Sequence, residues 1–162
     1  RDSPGVAQSL NQLGTVLALS AEYDEAERRL REALDIRRRM LGEGDLEVAQ
    51  TERALADVLT RRGEFDAAEP LIRAALDTRR ARHAGPHADV AQSLEDLGLN
   101  YADRGQYDEG VAYLRQAVTM QRDLHPGPHP ALATAISNLA FVLVNLDELD
   151  EAEPLYREAL RM

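Results

Sequence analysis

The sequence contains no cysteine, which removes disulfide staples and thiolate metal sites together. It contains no lysine either, so all nineteen basic residues are Arg. That bias is read as a mark of the source, of the kind a GC-rich genome imposes, and not as function. Aromatic residues make up only 4 % of the chain while hydrophobic residues make up 44 %. Ala and Leu carry much of that apolar share, which favours close helix packing over the Val, Ile and aromatic content of sheets. Positive charge is scarce: 29 acidic residues face 19 basic ones, for a net charge of −10. A nucleic acid or an anionic membrane would be repelled on average, so neither is an expected partner. No apolar run is long enough to span a bilayer and no signal-peptide pattern opens the chain. The expected location is the cytoplasm. There is no glycine-rich phosphate loop, no G-x-S-x-G elbow and no cysteine nucleophile, so the chain is not expected to be an enzyme or to need a cofactor.

What the sequence has is recurrence. Arg62-Gly63-Glu64-Phe65-Asp66-Ala67-Ala68-Glu69-Pro70-Leu71 reads as one helix ending, a tight turn and a second helix starting. Gly63 suits the left-handed closure of a helix. Asp66 is the expected N-cap, with Glu69 three residues on to complete a capping box, and Phe65 just ahead as an aromatic wedge. The same decade returns around Ala21–Glu27, Gly105–Gly110 and Asp147–Leu155, each copy 42 residues after the last. The units are expected at residues 3–44, 45–86, 87–128 and 129–162, forming a single array of four helix pairs. Arg1 in place of a start methionine makes the chain an expected piece of something longer.

Within each unit the apolar residues fall at helical spacing: Val6, Ala7, Leu10, Leu13 and Leu17 on a first helix from about Pro4 to Ser20, capped by Ser3, then Ala26, Leu30, Ala33 and Leu34 on a second from about Asp24 to Leu41. Small residues recur at matched positions. Gly14, Ala56, Gly98 and Ala140 face Ala26, Ala68, Gly110 and Ala152 across each pair; Ala33, Ala75, Ala117 and Ala159 await the next unit. Glu27/Arg31, Glu69/Arg73 and Glu153/Arg157 are i,i+4 pairs on solvated faces. Glu52 stands where the other copies have Leu10, Leu94 and Ile136, so it either reaches solvent or has an Arg partner. Ala21 and Asp147 replace Gly63 and Gly105, which predicts looser first and last turns.

The run Leu94, Leu97-Gly98, Tyr101, Gly110, Leu114, Ala117 resembles the tetratricopeptide repeat, and the 42-residue length with Ala-Glu-Pro-Leu-Tyr-Arg-x-Ala-Leu at 152–160 and His129-Pro130 resembles its kinesin light chain subclass. The resemblance covers essentially the whole chain. It implies an all-α, right-handed superhelical solenoid of four helix-turn-helix repeats, and a scaffold for protein–protein interaction. In such arrays the inward positions of the first helices line the concave face and bind a partner's peptide or helix. Carried over, the pattern gives Asn11 and Gln12, then Gln50, Arg53 and Asp57, then Gln92, Glu95 and Leu99, then Asn138 and Phe141. Repeats that clamp the carboxylate tail of heat-shock chaperones need basic residues where this chain has Thr15, Gln92 and Asp96, so that ligand is argued against. The Asn pair typical of light-chain grooves survives only as Asn11-Gln12 and Ser137-Asn138. The competing reading is a structural spacer of a larger multidomain protein with no ligand on that face.

Two further expectations concern the turns and the ends. His83 with His87 and His125 with His129 flank Gly-Pro links and are read as turn residues, not as metal ligands. The unlike apolar ends of the array, Val6, Leu10 and Leu13 at one and Tyr156, Ala159 and Leu160 at the other, predict weak end-to-end self-association.

Overall fold

The computed structural model describes residues 3–162; Arg1, on which the expectation of a longer parent rests, lies outside them. The described residues form eight helices: α1 (Pro4–Leu19), α2 (Tyr23–Leu41), α3 (Leu46–Arg61), α4 (Phe65–Arg82), α5 (Ala88–Asp103), α6 (Tyr107–Leu124), α7 (Pro130–Asn145) and α8 (Leu149–Ala159). The architecture is an all-α repeat fold of four helix-turn-helix pairs. The chain divides into two compact units, one reaching to Arg82 and one from His83 to Met162.

The first helix of every pair starts on a capping side chain, and the four caps are spaced by the repeat. Ser3 accepts from the Val6 amide, Asp45 from Glu47, His87 from Asp89 and His129 from Ala131. Different chemistries thus meet one demand, an acceptor for an orphan N–H at a helix start.

The turn inside each pair is also uniform. Ala21, Gly63, Gly105 and Asp147 all take a left-handed conformation, with φ of 60°, 77°, 75° and 63°. The next residue's amide then reaches back to the same carbonyl of the first helix, as Glu22 to Leu17, Glu64 to Leu59, Gln106 to Tyr101 and Glu148 to Leu143. The Ala21 and Asp147 turns are therefore not looser. They close on the same hydrogen bonds, with a side chain present where glycine is cheaper.

The capping box expected at Asp66 and Glu69 is not what starts α4. Phe65 is already helical, and the Ala67 and Ala68 amides donate to the Glu64 carbonyl. One residue separates the left-handed Gly63 from the helix, so Asp66 falls in the first turn, where its charge favours the helix dipole. Glu22, Gln106 and Glu148 occupy the matching cap positions without a side-chain cap bond.

In the first unit Ala7, Ala26, Leu30, Ala33, Val48, Leu55, Ala56, Val58, Leu59, Ala68 and Ala75 are buried. A Cβ at Gly14 would lie 2.6 Å from Leu30 Cγ and 3.2 Å from the Ala26 carbonyl oxygen, so the small pair sets the distance between α1 and α2. Glu52 has the Arg partner anticipated: Arg38 Nη2 donates to its Oε1 at 2.9 Å. Arg37, also buried, donates to the Glu47 carbonyl at 2.9 Å and the Thr51 hydroxyl at 2.7 Å, joining α2 to α3.

In the second unit Leu114, Val118, Leu132, Ala135, Ile136, Leu139 and Leu143 form the core, with Leu99, Tyr107, Leu155 and Tyr156 packed around it. Gly98 and Gly110 face each other; a Cβ at Gly110 would lie 2.8 Å from the Gly98 carbonyl. On the outside, Arg115 pairs with Glu151 at 2.8 Å and Arg122 with Glu158 at 3.0 Å, each joining α6 to α8. The i,i+4 pairs of the second helices form too, Arg31 to Glu27 at 2.7 Å, Arg73 to Glu69 at 2.8 Å and Arg157 to Glu153 at 2.6 Å. Among the described residues no helix is long and apolar enough to cross a membrane.

Candidate functional site

The inward positions come from first helices, whose 16-residue lengths match in all four copies. A spacing of three or four residues keeps such positions on one face. In the first unit Gln12, Gln50 and Asp57 are exposed and Arg53 is half-buried, whereas Asn11 is buried and its Oδ1 has no hydrogen-bond partner. Asp57 accepts from Arg61 Nε at 2.9 Å, an exposed i,i+4 pair.

In the second unit the residues gather more closely. Gln92 is exposed and donates to Asp96 Oδ1 at 3.0 Å. Glu95 is only 5 % exposed. Asn138 Nδ2, from α7, donates to its carboxylate at 3.2 Å. Gln121, from α6, bonds the same carboxylate. Burial pushes the Glu95 carboxyl up to about 7, with Asp96 raising it further and the two amides pulling it down. Leu99 lies one turn beyond Glu95 and is partly covered, while Phe141 lies one turn beyond Asn138 and is 56 % exposed. An exposed aromatic one helical turn along α7 from the amide that bonds a buried carboxylate offers a partner both apolar area and polar groups.

Gln121 was not singled out from the sequence. The signal was there: it occupies the position of Arg37 and Arg79 in the preceding copies, and all three are buried polar residues. Comparing copies at a 42-residue offset marks it as a polar position within the packing layer.

The four histidines are cap and turn residues. His87 Nδ1 accepts from the Asp89 amide and His129 Nδ1 from the Ala131 amide, both at 3.2 Å. His83 stacks on His87 at 3.4 Å between centroids and His125 on His129 at 3.5 Å. Ligand atoms of His83, His87 and Asp89 do lie within 4.8 Å of one another. Rings stacked in parallel planes do not aim their lone pairs at a common point, so this arrangement suits a cap better than a chelate.

Two clefts in the first unit lie elsewhere. One of about 360 Å³ is lined by Tyr23, Arg28 and Arg62, and one of about 270 Å³ by Leu34, Arg38, Leu59 and Leu71. Neither includes an inward first-helix residue named above.

Comparison with known proteins agrees with this architecture. A family model described as tetratricopeptide repeat matches residues 47–123 and 89–162, and a second of the same description matches 6–47. No curated protein sequence matches the chain. Among solved structures, BtubC (BKLC) from P. vanneervenii is similar at 23 % identity with a TM-score of 0.91, over 99 % of this chain and 65 % of that one. A putative kinesin light chain with nearly identical TPR-like repeats from Podosopora anserina is similar at 20 % identity and a TM-score of 0.87, over 99 % of this chain and 76 % of that one. A Rap protein complexed with Competence and Sporulation Factor is similar at 19 % identity and a TM-score of 0.84, over 99 % of this chain and 43 % of that one.

Proposed function

Because the chain belongs to the tetratricopeptide repeat family, we propose that it is a protein–protein interaction scaffold that holds a peptide or helix of a partner on its first-helix face. In this reading each unit offers its own first-helix residues to a partner, Asn11, Gln12, Gln50, Arg53 and Asp57 in the first unit and Gln92, Glu95, Leu99, Asn138 and Phe141 in the second. The observation that carries it is Phe141, a large aromatic left 56 % exposed on a helix whose Leu132, Leu139 and Leu143 are all buried. Exposed aromatics flanked by amides make interaction hot spots, and their exposure costs solvation that only a ligand recovers. That a structurally similar Rap protein is described in complex with a named factor agrees in kind. The location proposed for this activity is the cytoplasm.

The test is a peptide array probed with the chain and with two variants. Phe141→Ala and Arg53→Glu should each remove most of the bound signal while circular dichroism stays helical. Unchanged binding by both would move the partner's seat off the first-helix face. A chain that captures no peptide at all would favour the spacer reading.

A further inference from the structure

The charged residues of the two first helices in the second unit have one sign. α5 carries Asp89, Glu95, Asp96 and Asp103 and no basic residue, and α7 carries no charged residue at all. The first unit differs, with Arg53 and Arg61 on α3. Net negative charge alone would mean little, since acidic surfaces are common. Two further observations give it direction.

The first is a contrast between two buried carboxylates. Glu52, 1 % exposed, is met by Arg38 at 2.9 Å. Glu95, 5 % exposed, is met by amides from Gln121 and Asn138, and no cation acts on it. Burying a carboxylate without a counter-charge is costly. The second is Gln121, 4 % exposed, whose Oε1 is buried with no hydrogen-bond partner. Its amide is engaged with Glu95, so its free oxygen lies beside the carboxylate. A carboxylate met only by neutral amides, with an acceptor beside it that has no donor, describes the seat of an ammonium or a guanidinium group.

We propose that the α5–α7 face takes a basic segment of the partner, with an arginine or lysine side chain drawn to Glu95, Asp96 and the Gln121 oxygen, and an apolar side chain on Phe141 and Leu99. The proposal rests on the scaffold reading above and names its partner's chemistry. The i,i+4 spacing of Glu95 and Leu99 and the i,i+3 spacing of Asn138 and Phe141 put the acidic and apolar contacts one helical turn apart, about 5 Å. Successive or alternate residues of an extended peptide span that distance.

Binding of a cation requires the Glu95 carboxylate in its ionised form. From α5 the charged neighbour is Asp96, of like sign; α6 contributes neutral Gln121 and α7 neutral Asn138. In the free protein these surroundings hold the carboxyl at about 7. The fraction competent to bind therefore rises from about a tenth at pH 6 to about nine-tenths at pH 8, and affinity rises by roughly tenfold with it.

The experiment uses the full 162-residue chain, N-acetyl-arginine-N-methylamide as probe, its norleucine analogue as control and two-dimensional amide NMR as readout. The arginine probe should shift Asp96, Gln121 and Asn138 saturably, with about tenfold tighter binding at pH 8 than at pH 6. The norleucine analogue should shift Leu99 and Phe141 alone. Glu95→Gln, near-isosteric, should weaken the arginine probe at pH 8 and flatten its pH dependence; Asp96→Asn should weaken it at both pH values. The inference is overturned if the arginine probe shifts all acidic helix surfaces alike, shifts none, or binds Glu95→Gln as it binds the parent. It is also overturned, with the scaffold reading intact, if acidic or neutral peptides bind through Phe141 while basic ones do not. Failure of every peptide to bind would instead count against the scaffold reading itself.

Discussion

Arg38 Nη2 and Glu52 Oε1 lie 2.9 Å apart, the arginine a third exposed and the glutamate sealed beneath it. Burial raises the carboxyl's pKa; the Arg38 bond and charge, and more weakly Arg79, lower it, while Glu43 raises it. The other carboxylate oxygen has no hydrogen-bond partner. This pair is more a repaired defect than a stabilising device, because the copies at Leu94 and Ile136 fill the site with hydrocarbon. Glu52→Leu should raise stability by about 1 kcal/mol, since an apolar isostere often does better than a buried pair. Arg38→Ala should lower it by about 2 kcal/mol by stranding the carboxylate. Arg38 itself keeps Glu43 at 3.0 Å. Thermal melts of the two variants decide the matter, and a lower midpoint for Glu52→Leu would show the pair to be net favourable.

Ala21 is held at φ 60° where Gly63 and Gly105 relax at 77° and 75°. The left-handed region costs a side-chain residue about 1–2 kcal/mol, partly offset by the greater chain entropy of glycine. Ala21→Gly should therefore stabilise by about 0.5–1 kcal/mol, and Asp147→Gly by less because Asp tolerates that region. Gly63→Ala should lose what Ala21→Gly gains, since a Cβ there meets nothing within 4 Å and only conformation is at stake. Chemical denaturation of the three variants gives the comparison; opposite signs for Ala21→Gly and Gly63→Ala are the expected result.

Gly110→Ala should destabilise by about 1–3 kcal/mol, because the new methyl would meet backbone, the Gly98 carbonyl at 2.8 Å, and α5 and α6 must part to admit it. The matching Ala26 and Ala68 are buried without such a conflict in their own pairs, so the effect belongs to the third copy's double glycine. An unchanged denaturation midpoint would mean that the pair opens freely.

The Glu95 carboxyl sits above its ordinary value in the folded chain, at about 7 against 4.5 unfolded. The folded state thus holds the proton more tightly, and this contribution is complete below about pH 4.5 and is lost as pH rises through about 7. Glu95→Gln, which mimics the protonated side chain, should gain about 3 kcal/mol over the parent at pH 8 and little at pH 4, at about 1.4 kcal/mol per pKa unit. Melting curves across that range test it; a pH-independent gain would place the cause outside this titration.

Val6, Leu13 and Val16 on α1 remain exposed, whereas their counterparts Val48, Leu55 and Val58 on α3 are buried. Leu160, at the far end, is 87 % exposed where Leu34, Leu76 and Val118 are covered. The 162-residue chain should associate weakly end to end, with a net charge of −10 opposing it until salt screens the repulsion. Light scattering across a concentration series should show mass rising at high salt; a strict monomer at millimolar concentration there refutes the contact.

Most of the helix plan was legible because its causes are local and recur. Pro4, the glycine turns and the small-residue pairs each act within a few residues or across one turn, and a 42-residue offset repeats them. The missing cap at Asp66 was not legible, since Glu64 does its work through a backbone carbonyl that any residue supplies. The site was read less completely. Family spacing brought Asn138 to Glu95, but it could not say that Glu95 and Asn11 would be covered, because cover comes from neighbouring helices. Gln121 escaped for the same reason, being polar on a helix whose other inward residues are packing residues.

The ties between α6 and α8 join residues 36 apart, Arg115 to Glu151 and Arg122 to Glu158, and the bond from Asn138 on α7 to Glu95 on α5 joins residues 43 apart. The second unit is thus tied in these bonds by helices near one another along the chain, like links of a zipper. Under a pulling force such a unit should give way from a free end, one helix pair at a time, in small steps of similar height. A tethered chain would then yield and recoil elastically over a long stroke, a spring more than a brittle latch.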